Sequence, residues 1–220
     1  MSRRRPRVGG VLFDCYGTLI DIMTDEDDIR TYQCLSRWLI YQGVRITPRS
    51  LRAGYLRRVQ EAAELTGERY PEVQVEEVFA GICAEHSAWE IDAGQLGVEA
   101  ARAFRAASLR RLGVIRKSQS LLDLFGTRKL GVVSNGQRVF SEQELRVLNL
   151  YDRLNFVIFS SDFGYQKPDP RIYTAALGRM NLLPENILFI GDNRENDVTM
   201  PRRLGMQALH VEDAWRRYGA

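Results

Sequence analysis

Lysine is nearly missing from this 220-residue chain: of 31 basic residues only Lys117, Lys129 and Lys167 are lysines. A lysine in a motif therefore stands out. Histidine is as scarce, with His86 and His210 alone, and neither has a partner group nearby in the sequence, so both read as structural. The cysteines Cys15, Cys34 and Cys83 are odd in number and lack metal-type spacing, which fits a reducing compartment and ordinary burial. No apolar run reaches the length of a membrane span. No signal-type apolar stretch precedes a cleavage site, so a cytoplasmic protein is expected. The net charge of +3 is less than Arg3, Arg4, Arg5 and Arg7 supply. That basic start reads as a solvated tail. The rest is near neutral and lacks the basic surface a nucleic-acid partner requires.

Near-continuous apolar runs are present, but short. VGGVLFDCYG (8–17), KLGVVSNG (129–136), LNFVIFSSD (154–162) and NILFIGDN (186–193) each end on polar residues. Such runs suit parallel strands covered on both faces. Helical patterns at 141–150, 170–180 and 196–204 separate them, Asp169 or Pro170 being a helix start. A last strand, MQALHV, closes at Val211. This alternation predicts an α/β fold with a doubly wound parallel sheet.

Residues 21–114 read differently, with helical periodicity and no convincing strand. In EDDIRTYQCLSRWLIYQG, Ile29, Tyr32, Leu35 or Ser36, and Leu39 share a face. Residues 48–65, 73–86 and 96–112 read as three more helices. The expected organisation is an α/β core of residues 1–20 and 115–220, interrupted by a helical cap of residues 21–114. There is no internal repeat and no low-complexity linker.

In open α/β sheets, ligands sit beyond the carboxyl ends of the strands. Those ends carry Asp14, Ser134-Asn135 and Asp192, and Lys167 follows the strand at 154–162. Asp14 can attack an electrophilic centre covalently. Lys167 would hold Asp14 ionised and offset an anionic substrate. Ser134 would donate a hydrogen bond to a substrate oxygen, helped by backbone N–H groups around Gly17-Thr18 and Asn135-Gly136. Asp14 and Asp192 suit a hard divalent cation such as Mg²⁺. Cys15 alternates to the other strand face and reads as packing.

Asp14-Cys15-Tyr16-Gly17-Thr18-Leu19, Ser134-Asn135-Gly136, Lys167-Pro168 and Gly191-Asp192 with Asp197 resemble, in order, the four motifs of the haloacid dehalogenase superfamily. The resemblance implies a sheet in the order 3-2-1-4-5 and a cap closing over the nucleophile. It also implies Asp14, Tyr16, Ser134 and Lys167 as the catalytic positions. Asp14, Asp192, Asp197 and the Tyr16 backbone carbonyl would be the metal ligands.

The motifs divide on the reaction. The superfamily's phosphatases usually carry Asp two residues after the nucleophile as acid and base, where this chain has Tyr16. Its 2-haloacid dehalogenases resemble the chain better there, since a halide leaves without a proton. Asp192 with Asp197 resembles the phosphatase metal pattern instead. A Mg²⁺-dependent phosphatase acting on a small anionic metabolite is the first reading. A metal-independent dehalogenase comes second and a non-catalytic binding protein third. In the phosphatase reading Tyr16 is a missing acid, or a donor through its own hydroxyl. Arg30, Tyr32, Arg37, Trp38 and Arg45 are the cap residues expected to reach substrate, and a monomer or homodimer is expected.

Overall fold

In the computed structural model, which describes residues 7–220, Gly10–Phe13 forms β1, buried along its whole length. The arginines at positions 3–5 lie outside the described residues. β1 pairs in parallel with Lys129–Ser134 (β4) on one side and Ile187–Gly191 (β6) on the other. Phe156–Phe159 (β5) extends the sheet beyond β4, and Gln207–His210 (β7) beyond β6. The order β5-β4-β1-β6-β7 is the expected 3-2-1-4-5 arrangement of the core strands.

Alternation along β1 sends Val11 and Phe13 to one face and Leu12 to the other. The first face packs on Arg116–Leu124 (α5), Arg138–Val147 (α6) and Val211–Tyr218 (α9) through Leu122, Leu145 and Ala214. The second packs on Pro170–Met180 (α7) through Ile172, Tyr173 and Ala176. Both faces are covered, so the strands are apolar throughout. The Asp169 side chain caps α7 by accepting from Arg171 N, and Pro170 fills the first helical position, as expected from the sequence.

Residues 21–114 contain four helices, Ile29–Tyr41 (α1), Pro48–Leu65 (α2), Val75–His86 (α3) and Ala93–Ser108 (α4). They bury their own core around Tyr32, Leu39, Phe79, Ile82 and Phe104. Ile29 is exposed, off the buried face. Val139 and Phe140 of α6 enter this core, so one helix of the α/β unit docks the helical block.

The expectation of no strand in this region is corrected. Ile20–Thr24 (β2) and Leu109–Val114 (β3) pair antiparallel, with Ile20 opposite Val114. The fourth helix, expected to reach residue 112, ends at Ser108. β3 reads LRRLGV, a pattern equally compatible with a helix end, and its partner lies about 90 positions earlier in the chain. Only the pairing selects the strand. The expected helix at 196–204 is likewise two pieces, a wide helical turn over Arg194–Thr199 and a short α-helix, Met200–Arg203 (α8).

Candidate active site

The strand ends bring the four motifs to one edge of the sheet. Asp14 directly follows β1, and its carboxylate is buried. Lys167 arrives from the loop between β5 and α7, and its Nζ donates to Asp14 Oδ1 at 2.7 Å and to Asp197 Oδ1 at 2.8 Å. Asn135 fixes that loop. Its Nδ2 donates to Lys167 O at 3.0 Å, and its Oδ1 accepts from Lys167 N at 2.7 Å. Asn135 thus places the ammonium through the backbone, with its amide consumed in doing so.

Asp197 stands on the wide turn after β6. Asn193 caps that turn, its Oδ1 accepting from Glu195 N and Asn196 N. Asp197 Oδ2 accepts from Asn193 N at 2.9 Å, so both its oxygens are held. Asp192 is more exposed, and its backbone carbonyl accepts from His210 Nε2 at 2.8 Å. The His210 Nδ1 accepts from Glu212 N, which leaves the proton on Nε2. His210 thereby ties the end of β7 to the turn after β6.

One oxygen from each of Asp14, Asp192 and Asp197 lies within 4.8 Å of the others. Three carboxylates face one ammonium. Burial raises the pKa of Asp14 and Lys167 offsets this only in part, with Asp192 adding to the rise. Burial and Asp197 raise Asp192, while burial and Asp14 raise Asp197 against the pull of Lys167. Burial opposes the Lys167 charge, but Asp14 and Asp197 outweigh it and hold its pKa above the ordinary value. Lys167 stands against Asp14 as the sequence led us to expect, with two further carboxylates beside the pair. A set of hard oxygen donors with surplus negative charge fits a divalent cation.

Gly17 has φ +72°, a conformation that favours glycine, and its N–H donates to Ile20 O. The Gly136 N–H donates to Ser160 Oγ at 3.0 Å. Two backbone donors expected to meet substrate are thus already engaged. The hydroxyls of Thr18 and Ser134 are buried without a hydrogen-bond partner. The nearby Cys15 thiol is itself packed in the core.

The Tyr16 side chain reaches across to α6. Its hydroxyl donates to Glu144 Oε2 at 2.6 Å and lies 2.7 Å from Ser141 Oγ, both on α6. Burial and the Glu144 charge raise its pKa, so it stays a phenol. Beyond it opens a cavity of about 460 Å³ between the helical block and the sheet edge, lined among others by Glu26, Tyr55, Glu72, Arg105, Gln137 and Phe140.

None of Arg30, Tyr32, Arg37, Trp38 and Arg45 lines that cavity. Arg30 pairs with Asp28, and Tyr32 is buried against Phe104. The cap residues that do face it were not legible. Arginine and glutamate are too common in this chain for Arg105 or Glu72 to stand out.

A model of the haloacid dehalogenase-like hydrolases matches residues 8–205. The chain belongs to that family. Among its relatives, phosphoserine phosphatase of Thermus thermophilus is 31% identical over 87 residues, 40% of this chain and 35% of the relative. Glyceraldehyde 3-phosphate phosphatase of Pyrococcus abyssi is 30% identical over 123 residues, 56% of this chain and 49% of the relative. The chain spans between about a third and a half of the length of the curated relatives it matches. Among solved folds, a 2-haloacid dehalogenase from Pseudomonas syringae superposes with a TM-score of 0.63 at 22% identity, covering 91% of this chain and 85% of the other. A phosphatase of the same family from Thermococcus onnurineus superposes with a TM-score of 0.52 at 22% identity, covering 91% and 84%. Those likenesses speak to the fold. No helix among the described residues is long and apolar enough to cross a membrane.

Proposed function

We propose that this hydrolase is a Mg²⁺-dependent phosphatase of small phosphorylated metabolites, with Asp14 as nucleophile. The observation that carries the reading is the cluster of Asp14, Asp192 and Asp197 against a single ammonium. The reading is consistent with the phosphatase names of the relatives from Thermus thermophilus and Pyrococcus abyssi. Asp14, Asp192, Asp197 and the Tyr16 carbonyl would hold Mg²⁺. When bound, the ion supplies positive charge to the nucleophile and to the phosphoryl oxygens.

The free Asp14 oxygen attacks phosphorus, and the ester oxygen leaves with the electron pair of the breaking bond. Water then cleaves the aspartyl phosphate and regenerates Asp14. Lys167 balances the charge around Asp14, and Asn135 keeps it there. The unpartnered Ser134 hydroxyl donates to a phosphoryl oxygen. The non-phosphate end of the substrate occupies the cavity between Tyr16 and the helical block.

Tyr16 favours the second reading, a metal-independent 2-haloacid dehalogenase, because a halide needs no acid. The deciding assay sets p-nitrophenyl phosphate beside 2-chloropropionate, each with Mg²⁺ and with chelator. Phosphate release that chelator abolishes and Mg²⁺ restores supports the proposal, together with a phosphorylated Asp14 peptide by mass spectrometry. Chloride release indifferent to chelator overturns it. Inertness of the parent protein toward broad panels of both substrate types would leave the binding-protein reading.

A further inference from the structure

One half-buried arginine joins the helical block to the turn after Asp14. Arg105, near the end of α4, donates from Nε to Glu144 Oε1 at 2.7 Å and from Nη1 to Glu26 Oε1 at 2.8 Å. From Nη2 it donates to the Tyr16 hydroxyl at 3.3 Å. The Tyr16 proton goes to Glu144, so the Tyr16 oxygen accepts from both Arg105 and Ser141. Side-chain exposure is 14% for Arg105 and 7% for Glu144, so solvent screens this pair little. Four segments meet at one guanidinium: the β2–α1 connection, α4, α6 and the turn after Asp14.

Tyr16 is well placed to pass on a displacement. On one side, Cys15 joins it directly to Asp14 in the chain. On the other, Gly17 is pressed against the Asp192 carboxylate. A shift of the Tyr16 ring moves the backbone between the two acids. Each nitrogen of the guanidinium serves an acceptor on a different element, whereas an ammonium would have to reach all three from one nitrogen.

We propose that Arg105 is a positioning residue that couples the seating of the cap helices to the geometry of the Asp14 turn by way of the Tyr16 hydroxyl. The proposal rests on the reading of that turn as the catalytic one. With the cap seated, the guanidinium holds Glu144 and the phenol together and the turn is fixed. With the cap lifted, Glu144 loses its cation, the phenol loses a donor, and the turn loosens.

The test uses the full chain as Arg105→Lys, Tyr16→Phe and the double variant, with Glu144→Gln added in case the lysine variant does not fold. The first readout is hydrogen–deuterium exchange, which needs no turnover. Arg105→Lys and Glu144→Gln should each raise exchange at the backbone amides of residues 15–20, which belong to neither α4 nor α6. Faster exchange confined to α4 and α6 overturns the proposal. The second readout is turnover of p-nitrophenyl phosphate at saturating Mg²⁺. Arg105→Lys should lower kcat about tenfold with KM little changed, within the ~10²-fold that a 1 Å misplacement brings. The double variant should be no slower than the slower single one, and losses that multiply overturn the coupling through Tyr16. If no variant and no parent turns over phosphate, the proposed function fails, and exchange at residues 15–20 still decides the coupling.

Discussion

The carboxylate of Asp192 lies against the Cα of Gly17, so close that a β-carbon there would sit 2.2 Å from Asp192 Oδ2. The backbone adds a second constraint, since Gly17 has φ +72°. Left-handed backbone costs a substituted residue about 1–2 kcal/mol. Gly17→Ala should therefore lower the melting temperature by about 2–8 °C. It should also weaken Mg²⁺ activation, because Asp192 must move. Thermal denaturation and Mg²⁺ titration of activity check both. A variant with parental melting and Mg²⁺ dependence would show that the two residues do not constrain each other.

Removing an acid from the cluster should stabilise the protein without metal. Asp192 has a folded pKa raised by burial and by Asp197, so ionising it opposes folding. The penalty is absent below the unfolded pKa. It grows as pH rises toward the folded pKa and is complete above it. Asp192→Asn should melt higher than the parent at pH 8 in chelator, with the gap narrowing as the pH is lowered toward the ordinary carboxylate range. Mg²⁺ should raise the melting temperature of the parent and not of the variant. The opposite order in chelator would mean that Asp192 is not a strained carboxylate.

Leaving groups should matter strongly. The Tyr16 phenol is committed to Glu144 and, in the proposed phosphatase reading, stands at the position of the expected acid. General acid help is worth about 10²- to 10⁴-fold. Aryl and acyl phosphates, which leave as stabilised anions, should be cleaved faster than alkyl phosphates by a comparable factor. Tyr16→Asp should raise alkyl phosphate turnover relative to aryl at saturating Mg²⁺. Equal parental rates on the two classes, with both lowered by the substitution, would make Tyr16 a structural wall and not a missing acid.

The cavity beyond Tyr16 should select by charge. Arg105 is already held by Glu26 and Glu144, and Glu72 accepts only from neutral donors, Val73 N, Gln137 Nε2 and Ser160 Oγ. A second anionic group on the substrate would face carboxylates with no free cation among the described lining residues. Phosphomonoesters with a neutral or amine-bearing remainder should exceed those with a carboxylate or second phosphate by about tenfold in kcat/KM, about 1.4 kcal/mol. Glu72→Gln should narrow that gap. Phosphoethanolamine, glycerol 3-phosphate and phosphoglycolate form a sufficient panel, and preference for the last would refute the charge argument.

The core was legible because its strands are short apolar runs ending in chemistry-bearing residues. Asp14, Asp192 and Lys167 could be placed at one edge from the strand pattern alone, and Asp197 from the motif. The Tyr16 side chain was not, since its direction depends on Glu144 and Ser141, more than a hundred positions away. Gly136 was read as a substrate donor because nothing local announces Ser160 as its acceptor. β2 and β3 were missed for the same kind of reason, each being defined by the other. What the chain left unread are the contacts made across the seam between the helical block and the sheet, where no period or short motif operates.

Because Ile20 and Val114 are opposite one another, the intervening helices leave and rejoin the α/β unit at nearly one point. Paired residues in an antiparallel ribbon are about 5 Å apart. Such an arrangement is modular. The block can be excised and the ribbon closed by a tight turn, or another block of any size grafted in its place, without displacing a strand of the parallel sheet. The machinery at the sheet edge and the walls that choose what reaches it can then evolve on separate schedules, joined only at a few seam contacts.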